Sequence, residues 1–301
     1  MTTTYFNLKK QVISIFIILF SLNLSIAQVG IGTTTPDASA ILELDATDRG
    51  FLPPRMSKAD RDLIGSPAEG LTIYNIDDNC LNLYVGLGWR NLCAQVGPND
   101  VINPETGQIW MDRNLGASQV ATSSTDAASY GDLYQWGRAA DGHEKILRVT
   151  GDAPTSGTTA TNATTAVPNA GNPWDGLFIN ESSSPFDWLT TQDDNLWQGV
   201  NGTNNPCPAG YRVPTIAELD AERASWSSNN AAGAFDSPLK LPMAGNRNRA
   251  SGSLSNVGSD GYYWSSTVPS TNVRRLFFSS SDANMVAFNR AVGYPVRCLK
   301  D

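Results

Sequence analysis

The stretch Asn205 to Leu219, NPCPAGYRVPTIAEL, constrains this chain more tightly than any other. Pro206 and Pro208 have no backbone donor and Gly210 loosens the chain, so the segment is neither a helix interior nor a central strand. Tyr211-Arg212-Val213 reads as a short strand, and Pro214 holds the residue before it extended. Thr215, with Glu218 three positions on, forms a capping box that opens a helix. Ile216, Leu219 and Trp226 then fall near one helical face. Cys207 is therefore held in a stiff turn just ahead of a capped helix. The only cysteine after it is Cys298, in the closing GYPVRCLKD.

Residues 1–27 read as a secretory signal peptide. Lys9 and Lys10 precede an apolar run from Val12 to Leu24, and Ser25 and Ala27 supply the small residues of a cleavage site. The chain is thus expected outside the cell or on its outer surface, with no transmembrane segment after cleavage. The absence of a cysteine near the cleavage site argues against a lipid anchor. The formal charge of the whole chain is −8, and losing two lysines with the leader takes it to about −10. Such a chain is a poor partner for nucleic acid.

In an exported chain four cysteines read as disulfides. They admit three pairings. Cys80 and Cys93 share one hairpin-like segment and most simply pair with each other. Cys207 and Cys298 then close a loop of about 90 residues, worth at most about 4–5 kcal/mol in the chain-entropy model.

Residues 28–94 read as a small β-rich spacer or stalk. An extended run with Ile41, Leu42 and Leu44 ends at Pro53-Pro54, and Ser57 caps a short helix ended by Gly65. GLTIYN, CLNLYV and WRNL then alternate as an antiparallel meander. Residues 95–104 are rich in turn formers and read as a linker, and residues 105–301 as the large domain. Tyr130 to Gly137 reads as an aromatic-rich helical turn. From Thr150 to Asn172 the composition collapses to Thr, Ala, Gly, Asn and Pro, which reads as an exposed insertion loop. YYWSST, VRRLFFS, MVAFNR and YPVRC read as strands of a closing antiparallel sheet.

NPCPAGYRVPT, GYYWSST and GYPVRCLKD, preceded by GQIWMDRNLGAS and YGDLYQWGR, together resemble the Fibrobacter succinogenes major paralogous (FISUMP) domain of Bacteroidetes-type surface proteins. The likeness covers roughly residues 100 to 301. It implies a fold akin to the C-type-lectin-like branch that includes formylglycine-generating enzymes, with the two chain ends tied together. Residues 28–94 resemble spacer segments of tail-fibre-like surface proteins. The expected fold class is accordingly α+β: a C-type-lectin-like domain of irregular antiparallel strands with a few short helices, behind the small β-rich module.

The chemistry available is narrow. Formylglycine-generating enzymes work through late cysteines, but Cys298 has no second cysteine beside it, and a disulfide-bonded thiol is no nucleophile. The chain is therefore expected to be non-catalytic, with an enzyme of the formylglycine-generating type as a disfavoured second alternative. His143 is the only histidine, which removes histidine-based metal and triad schemes; it reads as exposed or locally hydrogen-bonded. Arg212, Arg290 and Arg297 read as structural. Trp174, Trp188 and Trp197 fall in Gly/Asn/Ser-rich sequence near Asp193 and Asp194. Rings beside carboxylates suit sugar faces, and loops on a rigid scaffold concentrate binding residues. These five residues are the candidate site, with Asp193 and Asp194 also offering oxygen ligands to calcium. The alternative for each ring is an anchor that pins the loop to the core. The functional expectation is a surface module binding a glycan or protein. The alternative is a structural or adhesin fibre component capped by the C-terminal domain, with copies associating through the N-terminal module.

Overall fold

The computed structural model of the chain describes residues 28–86, 88–93, 96–148 and 151–301. Residues 1–27, read above as a signal peptide, lie outside the described residues. Among the latter, no helix is long and apolar enough to cross a membrane. The chain divides into two compact units, one up to Pro53 and one from Pro54 to Asp301.

The α+β expectation gives way to a strand-dominated fold. Strands and bridges account for 25% of the described residues and helices for 9%, in many small sheets. The helices read from the sequence do form, at Lys58–Asp62 and Ile216–Ala224, with a third at Ala231–Asp236. Each is only one to three turns long. Tyr134–Gln135, inside the expected helical turn, is a strand, and a single 3-10 turn at Ala127–Ser129 precedes it.

In the first unit, Val29–Ile31 pairs in parallel with Leu42–Leu44. The connection turns at Gly32, whose φ is +88° and where a Cβ would come within 1.9 Å of the Asp45 carbonyl oxygen, so only glycine fits.

The second unit opens with a four-stranded sheet of Arg55–Met56, Thr72–Asn75, Cys80–Val85 and Gly88–Asn91. Its first pair is parallel and the others antiparallel. The Cys80–Cys93 disulfide, with Cα atoms 5.8 Å apart, clips its far end. Next, the turn-rich stretch at 95–104 contributes the strand Asp100–Ile102, which pairs with Ile109–Met111. That hairpin joins a sheet ordered Tyr211–Arg212, Leu299–Lys300, Ile109–Met111, Asp100–Ile102. Leu299 faces both Arg212 and Trp110 across it, so early and late strands are neighbours. The Cys207–Cys298 disulfide sits beside this pairing, with Cα atoms 5.9 Å apart.

The NPCPAGYRVPT stretch acts as a hinge pin between strand and helix. Thr215 Oγ1 accepts the Glu218 N–H while the Glu218 carboxylate accepts the Thr215 N–H, closing the capping box. Arg212 then bonds Glu218 at 2.6 Å and Asp301 at 2.7 Å.

Two larger sheets follow, beside two two-stranded ones, of which one pairs Ile146–Leu147 with Ala153–Pro154. Gly261–Trp264, Val273–Phe278 and Ala283–Phe288 form an antiparallel three-stranded sheet. Leu254–Ser255, Asn246–Arg247, Gly293–Tyr294 and Tyr134–Gln135 form a four-stranded one. The core is two clusters, one around Trp136, Trp188, Trp197, Trp264 and Tyr294, the other around Trp110, Leu219, Tyr263 and Phe278. The stretch expected to be an exposed insertion is largely exposed, with only Ala163 buried among residues 151–172, but it is tied down at two points. Thr158–Thr159 pairs in parallel with Phe178–Ile179, and Ala163 bridges to Leu189 and is fully buried. Its small residues let the backbone approach closely, so main-chain hydrogen bonds replace the apolar burial that its composition lacks.

Candidate functional site

The three loop tryptophans do not offer their faces to solvent. Trp174 is 8% exposed, Trp188 2% and Trp197 0%. Trp188 Nε1 donates to the Trp136 carbonyl at 2.6 Å and Trp197 Nε1 to the Arg138 carbonyl at 3.1 Å. The Arg138 guanidinium lies over the Trp188 ring, 5.3 Å from its centroid. These rings fasten the 150–205 segment to the core and are not a sugar platform. The sequence signal that misled is the polar composition around them, which describes the neighbours of a ring and not what the ring packs against.

The two aspartates are also committed locally. Asp193 Oδ1 accepts the Asn195 backbone N–H at 2.9 Å. Asp194 forms an ion pair with the buried Arg290 guanidinium. Neither belongs to a group of three potential ligands close enough to hold a metal among the described residues.

The one such group is Asp141, His143 and Glu144, which sequence reasoning set aside because only one histidine is present. His143 is fully buried. Its Nε2 accepts the Gln135 N–H at 3.1 Å and its Nδ1 lies 2.6 Å from Asp141 Oδ1. Arg138 bonds the other Asp141 oxygen at 2.5 Å. An Nε2 that accepts a backbone N–H belongs to a neutral imidazole. Burial, reinforced by the Arg138 charge, pushes the His143 pKa down to about 4. Both ring nitrogens are occupied within the fold, so the cluster is a structural buttress.

What the structure does expose is apolar surface at one end of the chain. Twelve of the fourteen exposed large apolar side chains among the described residues lie between Val29 and Val96. In the first unit, Ile41 is 81% exposed, and Val29, Ile31, Leu42, Leu44, Phe51 and Leu52 are all exposed. In the second, Leu63, Ile76, Leu81, Leu92 and Val96 are exposed, Leu63 at 81%. Two three-residue strands cannot hold themselves together in water, and isolated pairs of this kind need a further apolar layer. The alternation at Val29–Ile31 and Leu42–Leu44 leaves the larger side chains of both strands without one.

The second unit also carries a cleft of about 830 Å³, between the four-stranded sheet and the Ile109/Leu299 sheet. Lys58, Arg61, Trp89, Gln108, Arg212 and Asp301 are among its walls. Its charges answer one another: Lys58 and Arg212 both bond Asp301, and Arg61 bonds Asp62 and lies over the Trp89 ring. The cleft is a neutralised seam that locks the meander to the body of the unit.

Comparison with known proteins singles out the same end of the chain as the exposed side chains do. A family model described as a phage tail like trimerisation region matches residues 30–107. The expected FISUMP and lectin-like likeness of the large domain gains no family match. No curated protein matches the chain, and no solved structure does.

Proposed function

We propose that this chain is an exported structural component of a fibre-like assembly, whose copies associate in threes through residues 30–107. The observation that carries the reading is the concentration of exposed apolar side chains between Val29 and Val96, in the stretch that matches the trimerisation region. Exposed apolar residues scattered singly need no explanation, but a concentration of them marks an association surface. Each such side chain that a neighbouring copy covers contributes about 1.5–3 kcal/mol. The disulfides Cys80–Cys93 and Cys207–Cys298 suit an oxidising compartment. Residues 105–301 then form the terminal body of the fibre. The ligand-binding alternative loses its platform with the burial of Trp174, Trp188 and Trp197.

Sedimentation equilibrium on the secreted full chain tests this. Three copies per particle are expected, and the paired substitution Ile41→Asp and Leu63→Asp shifts the mass toward one copy with the circular dichroism unchanged. A wild-type chain that stays monomeric at tens of micromolar would overturn the reading.

A further inference from the structure

Arg275 breaks the rule that the other buried arginines keep. Arg61, Arg138, Arg212, Arg247, Arg290 and Arg297 each bond a carboxylate, amide or carbonyl oxygen. Arg275, on the central strand Val273–Phe278, is 6% exposed, and its Nε and Nη1 are buried without a hydrogen-bond partner. Its guanidinium carbon lies 4.5 Å from the Tyr262 ring centroid, 4.6 Å from that of Phe288, 4.8 Å from that of Tyr294 and 5.6 Å from that of Phe277. The carboxylate of Asp260, whose charge reaches Arg275, instead accepts the Tyr262 hydroxyl at 2.8 Å. Ring faces attract a cation, yet buried donors that lack an acceptor still carry their desolvation cost. The fold has assembled a cation and its walls and left out the anion.

We propose that Arg275, walled by Tyr262, Phe277 and Phe288, is a subsite for the carboxylate of an acidic sugar. A guanidinium presents a planar fork that a carboxylate accepts with both oxygens. The net charge of −8 disfavours a polyanion, so the fitting ligand carries one negative charge on an otherwise neutral body. Phe277 and Phe288 are only partly buried, and aromatic faces pack against the apolar face of a pyranose. Because Nε and Nη1 are buried, binding requires one of these two rings to move aside. The site is on a different sheet from the N-terminal apolar surface and stands whatever the number of copies in the assembly.

The test is titration of the full chain with glucuronic acid, glucose and N-acetylaspartate at constant ionic strength. It is read by tryptophan fluorescence, since Trp264 pairs in register with Arg275, and by the ¹⁵N resonance of Arg275 Nε. Glucuronic acid is expected to bind saturably and to shift the Nε resonance, glucose and N-acetylaspartate to do neither, and Arg275→Gln to weaken binding about tenfold or more. Glucuronic acid that fails to saturate, or that binds Arg275→Gln as well as wild type, would overturn the proposal. Equal binding of N-acetylaspartate would replace the sugar by an acidic peptide and overturn the assignment of ligand class. Should Arg275→Gln fail to fold, an Nε resonance in the wild type that glucuronic acid leaves unmoved overturns it by itself.

Discussion

Arg212 and Asp301 are 89 positions apart in the chain and bonded at 2.7 Å. The same guanidinium holds the Glu218 carboxylate at 2.6 Å, so strand, helix cap and chain end meet at one cation. Burial works to raise the carboxyl groups of Glu218 and Asp301, but Arg212, with Thr215 at one and Lys58 at the other, outweighs it and leaves both below their usual range. Groups lowered in this way contribute stability that is complete above their unfolded pKa of about 4 and is lost as pH falls through their folded values. His143 acts earlier. Its folded pKa near 4 lies below the unfolded value of about 6.5, so the unfolded chain takes up that proton first and stability declines as pH drops from 6.5 toward 4. Urea midpoints measured from pH 8 to 3 should therefore be level above about 7, slope down below 6.5 and steepen below 4. A midpoint that is level between pH 7 and 5 would contradict the neutral, buried histidine.

The disulfide between Cys207 and Cys298 spans 91 positions and fastens the stiff turn before the capped helix to the last strand. Cys207→Ser with Cys298→Ser is expected to cost about 2–5 kcal/mol, the range for a native disulfide in an exported domain. Peptide mapping without reductant should join the Cys207 peptide to the Cys298 peptide, and Cys80 to Cys93. An unchanged unfolding midpoint in the double variant would show that the sheet alone sets the stability.

Trp188 and Trp197 give opposite results under the two readings of the 150–205 segment. As core rings with satisfied Nε1 groups, either one replaced by Ala should cost about 3–5 kcal/mol. Limited proteolysis of the variants should begin within that segment. Variants that keep the wild-type melting temperature would return the rings to the surface.

The sequence was most legible where the backbone had few choices. Two prolines, a glycine and a Thr-x-x-Glu box placed the turn, strand and helix between Asn205 and Leu219, and residue chemistry at those positions decides conformation locally. The meander at Thr72–Asn75, Cys80–Val85 and Gly88–Asn91 was legible for the same reason, through alternation and turns. The helix content was not. A capping box announces a helix but says nothing of its length, and Ile216–Ala224 stops after nine residues. The candidate site failed because burial of Trp174, Trp188 and Trp197 depends on partners far along the chain, such as the carbonyls of Trp136 and Arg138. Arg275 escaped notice for a related reason. VRRLFF reads as an ordinary strand, and only the register with Trp264 and Val286 reveals an arginine without an acceptor.

Leu299 lies antiparallel to Trp110, so the stretch that enters the large domain and the stretch that closes it run side by side in opposite directions. A load applied between Ile109 and Lys300 therefore meets this sheet as a zipper, opened one hydrogen bond at a time from its end, and not as a shear lock. At Cys298 the covalent link to Cys207 takes the closed loop 208–297 out of the line of force. The tension then runs through residues 109–207, which carry Trp136, Trp188 and Trp197, and bypasses the loop that holds Trp226 and Trp264.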